Sequence, residues 1–133
     1  MKSYFLLTIL IIVILTFTGC DCSFDYQFDV INETTDTINI SYYQKLEHLN
    51  IVILPNMKKT IAVTNGQKRG CIFGRAINIK SSDSTINHYL DSIIIYKNDT
   101  IKSNTNYNYE KNWIFESAKN IGKYIAHVNN LDF

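Results

Sequence analysis

Three histidines, three cysteines and scattered serines and carboxylates are the groups in this 133-residue chain that could do chemistry. His48, His88 and His127 stand singly with no HxxxH pair, and the cysteines lack CxxC spacing, so no zinc-type ligand set forms. Each histidine reads as a surface or strand residue. No GxSxG elbow or SxxK pair places a nucleophile beside a base, and Gly70 and Gly74 belong to neither a GxGxxG nor a GxxxxGK[ST] phosphate loop. These patterns assign no catalytic residue, no metal and no cofactor, and the chain reads as a non-enzyme. The reactive group that does stand out is Cys20, which closes a charge-free apolar run beginning just after Lys2.

That run, Tyr4 to Phe17, holds 14 residues. As a helix it would reach about 21 Å, against a hydrocarbon core of about 30 Å, too short to span comfortably. One basic residue, an apolar stretch and small Thr18-Gly19 come in the order of an export signal. The context Leu15-Thr16-Phe17-Thr18-Gly19-Cys20 resembles the bacterial lipobox, matching it at Thr18, Gly19 and Cys20, while Phe17 stands where Leu is commonest. The resemblance implies removal of residues 1–19, a diacylglycerol thioether on Cys20 and an acyl group on its amine. Two or more chains anchor stably where one binds only marginally, so the first partner expected is the membrane, through the N-terminal lipid.

Beyond the signal, a short acidic tether is expected over residues 20–24 and one domain over 25–133, large enough for its own core. Loss of Lys2 leaves 12 basic against 12 acidic side chains, without the electrostatic footprint of a nucleic-acid binder. Lys58-Lys59 and Lys68-Arg69 sit beside turn signals and read as solvated hairpin tips. Asp21, Asp25, Asp29, Glu33 and Asp36 precede the next basic residue, Lys45. Acidic residues just behind a lipidated cysteine resemble the surface-export signals of Bacteroidota lipoproteins; equally, Asp25 and Asp29 suit the solvent face of a first strand. The expected location is therefore the outer membrane, facing the periplasm or displayed at the cell surface.

Cys22 and Cys71 form an even pair once Cys20 is lipidated, and in an oxidising compartment they could close a disulfide. Cys71 beside Ile72 and Phe73 would equally pack as a buried thiol. Asp36-Thr37-Ile38, Asp91-Ser92-Ile93 and Asp99-Thr100-Ile101 match the Asp-Ser/Thr-aliphatic pattern of Bacteroidota O-glycosylation, making Thr37, Ser92 and Thr100 candidate acceptors. The same triplets are what strand entries prefer.

The elements that must position these groups are strands, because the dominant period is two. Tyr26, Phe28 and Val30 alternate with Asp25, Gln27 and Asp29; Ile38, Ile40 and Tyr42 alternate with Thr37, Asn39 and Ser41. With turn-like Asn32 to Asp36 between them, the two predict a hairpin. Leu49 to Leu54 and Thr60 to Thr64, joined through Pro55-Asn56, predict a second, and Ser92 to Tyr96 with Thr100 to Lys102 a third. A strand over Cys71 to Lys80, a loop over the Asn-rich Asn104 to Asn112, a short helix or ragged strand over Trp113 to Asn120, and a last strand over Lys123 to Asn129 complete the chain. Some eight short strands predict a small antiparallel β-sandwich of immunoglobulin-like or transthyretin-like type, with a small barrel as the alternative. The Tyr26 to Tyr42 segment, the Asp91-Ser92-Ile93 entry and the ending Leu131-Asp132-Phe133 resemble small Bacteroidota lipoproteins, a resemblance that carries a compartment and no activity.

Aromatic residues near predicted loops, Tyr42, Tyr43, Tyr107, Tyr109 and Trp113, either fill a sandwich core or form a binding surface. Tyr107 and Tyr109 are the binding candidates. The functional expectation is a non-catalytic binding or assembly module for a protein or glycan partner at the outer membrane; the alternative is a lipid-anchored inhibitor or immunity protein against a toxin or hydrolase.

Overall fold

The computed structural model describes residues 21–69, 85, 86, 89–118 and 121–133. The strands are β1 (Asp21–Asn32), β2 (Ile38–Gln44), β3 (Glu47–Ile53), β4 (Lys58–Arg69), β5 (Ser92–Lys97), β6 (Ile101–Lys102), β7 (Ile114–Ala118) and β8 (Ile121–Val128), with 3-10 turns at Glu110–Asn112 and Asn130–Asp132. Two four-stranded sheets, β4-β1-β8-β7 and β3-β2-β5-β6, enclose one apolar core, a small all-β sandwich. The strand ladders are antiparallel except β1·β8, which is parallel.

Alternation along each strand builds this core, since successive side chains face opposite sides of a sheet. Tyr26, Phe28 and Val30 of β1, Tyr124, Ala126 and Val128 of β8, Ile38, Ile40 and Tyr42 of β2, and Ile93 and Ile95 of β5 are all buried. Phe28 lies at the centre, stacked on Tyr124 at 5.1 Å and meeting Trp113 edge-on at 5.6 Å. Both separations fall in the range where ring quadrupoles attract. Gly122 of β8 makes room for this packing, because a Cβ there would stand 2.8 Å from the rings of both Tyr26 and Phe115.

Two of the three expected hairpins are not hairpins. β1 and β2 lie in different sheets, as do β3 and β4, so Asn32–Asp36 and Pro55-Asn56 are arches that carry the chain from one sheet to the other. β1 pairs with β4 and β2 pairs with β3. The true β2–β3 turn is Lys45-Leu46, at φ 50° and 70°, a two-residue connection of the kind that Asn-Gly usually fills. The third hairpin, β5–β6, forms as expected across Asn98, Asp99 and Thr100. In the segment from Trp113, β7 occupies Ile114–Ala118, a strand rather than a helix.

One residue holds both arches. Asn32 is fully buried; its Nδ2 donates to the carbonyls of Asp36 (2.8 Å) and Ile53 (3.0 Å), and its Oδ1 accepts from Thr34 N (3.0 Å) and Thr34 Oγ1 (2.7 Å). Its own N–H donates to Met57 O at 2.9 Å. A bulge interrupts β4, where Phe28 faces Ala62 but Asp29 faces Thr60, leaving Ile61 outside the register. The Ile61 carbonyl accepts the Tyr42 hydroxyl at 2.6 Å, a bond between the sheets.

β1 begins at Asp21, which pairs with Arg69, so the backbone of residues 21–24 belongs to the sheet and is not the tether expected there. β8 joins only from Asp25, opposite Ile121. Residues 1–20, including Cys20, lie outside the described residues, as do Cys71, the strand expected over 71–80 and His88; the Cys22 side chain does so as well.

Candidate functional site

The connection from β6 to β7 crosses from one sheet to the other, and it is this Asn-rich segment that builds a site. Tyr107 and Trp113 plug it into the core: both are buried, the Trp113 indole N–H donates to Tyr107 O at 2.8 Å, and the Tyr107 hydroxyl donates to His127 O at 3.3 Å. Burial, and next the Asp132 carboxylate, raise the Tyr107 phenol above its ordinary range. Tyr107 is therefore a core residue and not a binding aromatic, because its ring and hydroxyl are both spent inside. Tyr109 stays partly exposed, with the Lys111 ammonium 5.4 Å from its ring centroid.

Between these plugs and β6, the C-terminal turn pins Ser103, Asn104 and Thr105. Asn104 N donates to Asp132 O at 2.7 Å, Ser103 Oγ donates to Asp132 O at 3.1 Å, and Thr105 Oγ1 donates to Asp132 Oδ1 at 2.5 Å. Asp132 is itself held by a capping box with Asn129. Asn112 Nδ2 donates to Asn106 O at 2.7 Å from the other side. A loop with this many fixed groups is ordered before any ligand arrives, which removes part of the entropic cost of binding.

Asn108 ties the loop to β5. Its Oδ1 accepts from Ile93 N (2.8 Å) and its Nδ2 donates to Ile93 O (3.0 Å), the two bonds a neighbouring strand residue would make. The second Nδ2 hydrogen goes to Asn106 Oδ1 at 2.8 Å. Ser103 N donates to Ile95 O at 2.9 Å farther along. Because β6 is only two residues long, the gap between β5 and the loop stays open as a groove of about 390 Å³, lined by Ser92–Ile95, Lys102–Asn106 and Asn108. Lys102, Asn104 and Asn106 line this groove and are exposed, and among the described residues the Lys102 ammonium, the Asn104 carboxamide and Asn106 Nδ2 have no protein partner.

No protein-family model, curated protein or solved structure matches the chain.

Ser92 is the one candidate glycan acceptor that lines the groove. Thr100 is exposed in the β5–β6 turn and Thr37 is half-buried in the first arch, so the three lie apart. Two histidines have partners. Ser41 Oγ lies 2.6 Å from His48 Nε2 beside the Tyr43 ring, and His127 Nδ1 lies 2.6 Å from Glu33 Oε1. Among the described residues, the Ser41–His48 pair lacks the third group that orients the base in a triad. No cluster of three metal-ligating side chains occurs among the described residues.

A separate polar cluster sits at the β4 bulge. Asp29 is fully buried; Lys58 Nζ lies 2.8 Å from its Oδ2, while Gln27 Nε2 and Thr60 Oγ1 each donate to Oδ1 at 2.7 Å. Burial pushes the carboxyl upward, but the bonds from Lys58, Gln27 and Thr60 outweigh it and hold the carboxyl below its usual value. This cluster secures β1 to β4 and uses its groups on one another.

The working residues of the groove wall are Lys102, Asn104, Asn106 and Asn108, and no chemical motif marks any of them. Their one visible signal is the recurrence of asparagine at every second position from 104 to 108.

Proposed function

We propose that the protein is a lipid-anchored component of the cell envelope, held at the outer membrane through Cys20, whose sandwich is a non-catalytic binding module. The observation that carries the binding reading is the pre-ordered loop beside β5, fixed by Asp132, Asn108 and Trp113 while Lys102, Asn104 and Asn106 keep groups free. Polar groups left open beside a locked scaffold are the usual make-up of a recognition site. The anchor is supported by the Thr18-Gly19-Cys20 context, with strand β1 starting one residue later at Asp21.

Two variants test this together. Cys20→Ala should accumulate a larger, unlipidated precursor; a normal-sized mature protein that partitions without detergent would contradict the anchor. Affinity capture with the anchored protein should recover a partner that the Lys102→Gln/Asn104→Ala double variant loses, and an identical capture profile would contradict the groove. If the partner is an exported toxin or hydrolase, the module acts as its inhibitor.

A further inference from the structure

We infer that the groove beside β5 takes an acidic oligosaccharide, a ligand whose carboxylates and hydroxyls accept hydrogen bonds from Lys102, Asn104 and Asn106. This deepens the binding reading above and rests on it. The donors and acceptors that remain free in the groove point to such a ligand. Asn106 Oδ1 already accepts from Asn108 N (3.0 Å) and Asn108 Nδ2 (2.8 Å), so the Asn106 side chain presents only its N–H₂. Lys102 offers three more donors and no acceptor. The Ser103 and Thr105 hydroxyls are directed inward to Asp132. What the groove offers is therefore mainly donors and one positive charge, with no carboxylate among its described lining residues.

An extended peptide is disfavoured by the same count. Strand addition needs free backbone groups on the edge, yet Ile93 N–H and C=O are both held by the Asn108 carboxamide, and Ile95 C=O by Ser103 N. A peptide would have to displace Asn108 from three hydrogen bonds. A ligand bound by its substituents meets no such barrier. Among the described residues no aromatic side chain lines the groove, so a sugar there would be held by hydrogen bonds and charge rather than by ring stacking. More of the affinity then falls on charge, and hence on Lys102.

The test uses the lipidated full chain in nanodiscs, titrated with a galacturonate tetrasaccharide, its neutral galactose counterpart and an oligoglutamate peptide, and followed by amide chemical shifts. The expected result is saturable shifts at Lys102–Asn108 with galacturonate, at least tenfold weaker binding of the neutral sugar, and at least tenfold loss for galacturonate in Lys102→Gln with the fold unchanged. Binding should also weaken as salt rises. Equal binding of neutral and acidic sugars, or preference for the peptide, would overturn the ligand class while leaving a binding groove. No shift in this segment with any of the three probes would overturn the ligand class. An unchanged capture profile for the Lys102→Gln/Asn104→Ala variant is the separate result that overturns the groove itself.

Discussion

Replacing Asn32 by Ala should unfold the protein more readily than almost any other single polar substitution. The side chain is fully buried and makes four hydrogen bonds to the two arches. In Asn32→Ala, Thr34 Oγ1 keeps Asp36 O as an acceptor at 2.8 Å, so that pair is partly preserved. Thr34 N and Ile53 O have no such substitute and lose the partner that satisfies them. At about 1–3 kcal/mol for each of these two groups, the expected loss is about 2–6 kcal/mol. Domains of this size are stable by about 5–15 kcal/mol, so the melting temperature should fall by on the order of 10–30 °C. Asn32→Asp separates hydrogen bonding from packing: it keeps the shape and Oδ1, but sets a second oxygen against the Asp36 and Ile53 carbonyls. It should be at least as damaging as Ala. Urea unfolding monitored through Trp113, the single tryptophan, measures both. A loss under about 1 kcal/mol for Asn32→Ala, with an unchanged urea slope, would refute the idea that this residue holds the arches together.

Packing and electrostatics set the other expected outcomes. Gly122→Ala forces a methyl within 2.8 Å of the Tyr26 and Phe115 rings and should cost about 1–3 kcal/mol in thermal unfolding; an unchanged melting temperature would mean the rings move aside freely. Lys45→Asn with Leu46→Gly places residues suited to positive φ in the β2–β3 turn and should raise stability by roughly 1 kcal/mol, read as a higher urea midpoint. With pH, Asp29 has a lowered folded pKa, so its contribution is present above the ordinary carboxyl range and is lost as acid protonates it; Asp29→Asn should flatten the acid limb of the stability profile. At the other end, Tyr26, Tyr42, Tyr89, Tyr107 and Tyr124 all have raised phenol pKa values, chiefly through burial. Stability should be intact below about pH 10 and fall above it, by about 1.4 kcal/mol per pH unit for each phenol that ionises only on unfolding. A flat profile between roughly pH 10 and 11 would contradict it.

The strands are legible in the sequence because burial on one face imposes period two, and Ile38-Ile40-Tyr42 shows it without interruption, whereas in β1 Asp29, expected on the solvent face between Phe28 and Val30, is itself buried because Lys58, Gln27 and Thr60 satisfy its carboxylate. Their pairing is not, because alternation says which face is buried and nothing about which neighbour completes the ladder. Asn32–Asp36 reads as a hairpin turn, but a segment of that length also crosses the roughly 10 Å between packed sheets. The real β2–β3 turn is hidden for the opposite reason: Lys45-Leu46 carries no glycine or asparagine to mark its positive φ angles. Tyr107 looks like a surface residue because polar loops usually lie outside, whereas this loop sends Tyr107 and Trp113 inward. The groove itself shows only as a polar, Asn-rich stretch. That Asn108 takes the place of a strand residue against Ile93 depends on the shortness of β6, which ends after two residues.

Photo-cross-linking from within the groove tests ligand binding there most directly. A benzophenone amino acid at Ile94, which lines the groove without supplying one of its free polar groups, should in the anchored protein of intact cells give a discrete adduct that is lost in Lys102→Gln, while the same probe at Asn56, in the Pro55-Asn56 arch, should give none of that species. Identical adducts from both positions, or none from Ile94 while the protein remains anchored and folded, would contradict a binding role for the groove.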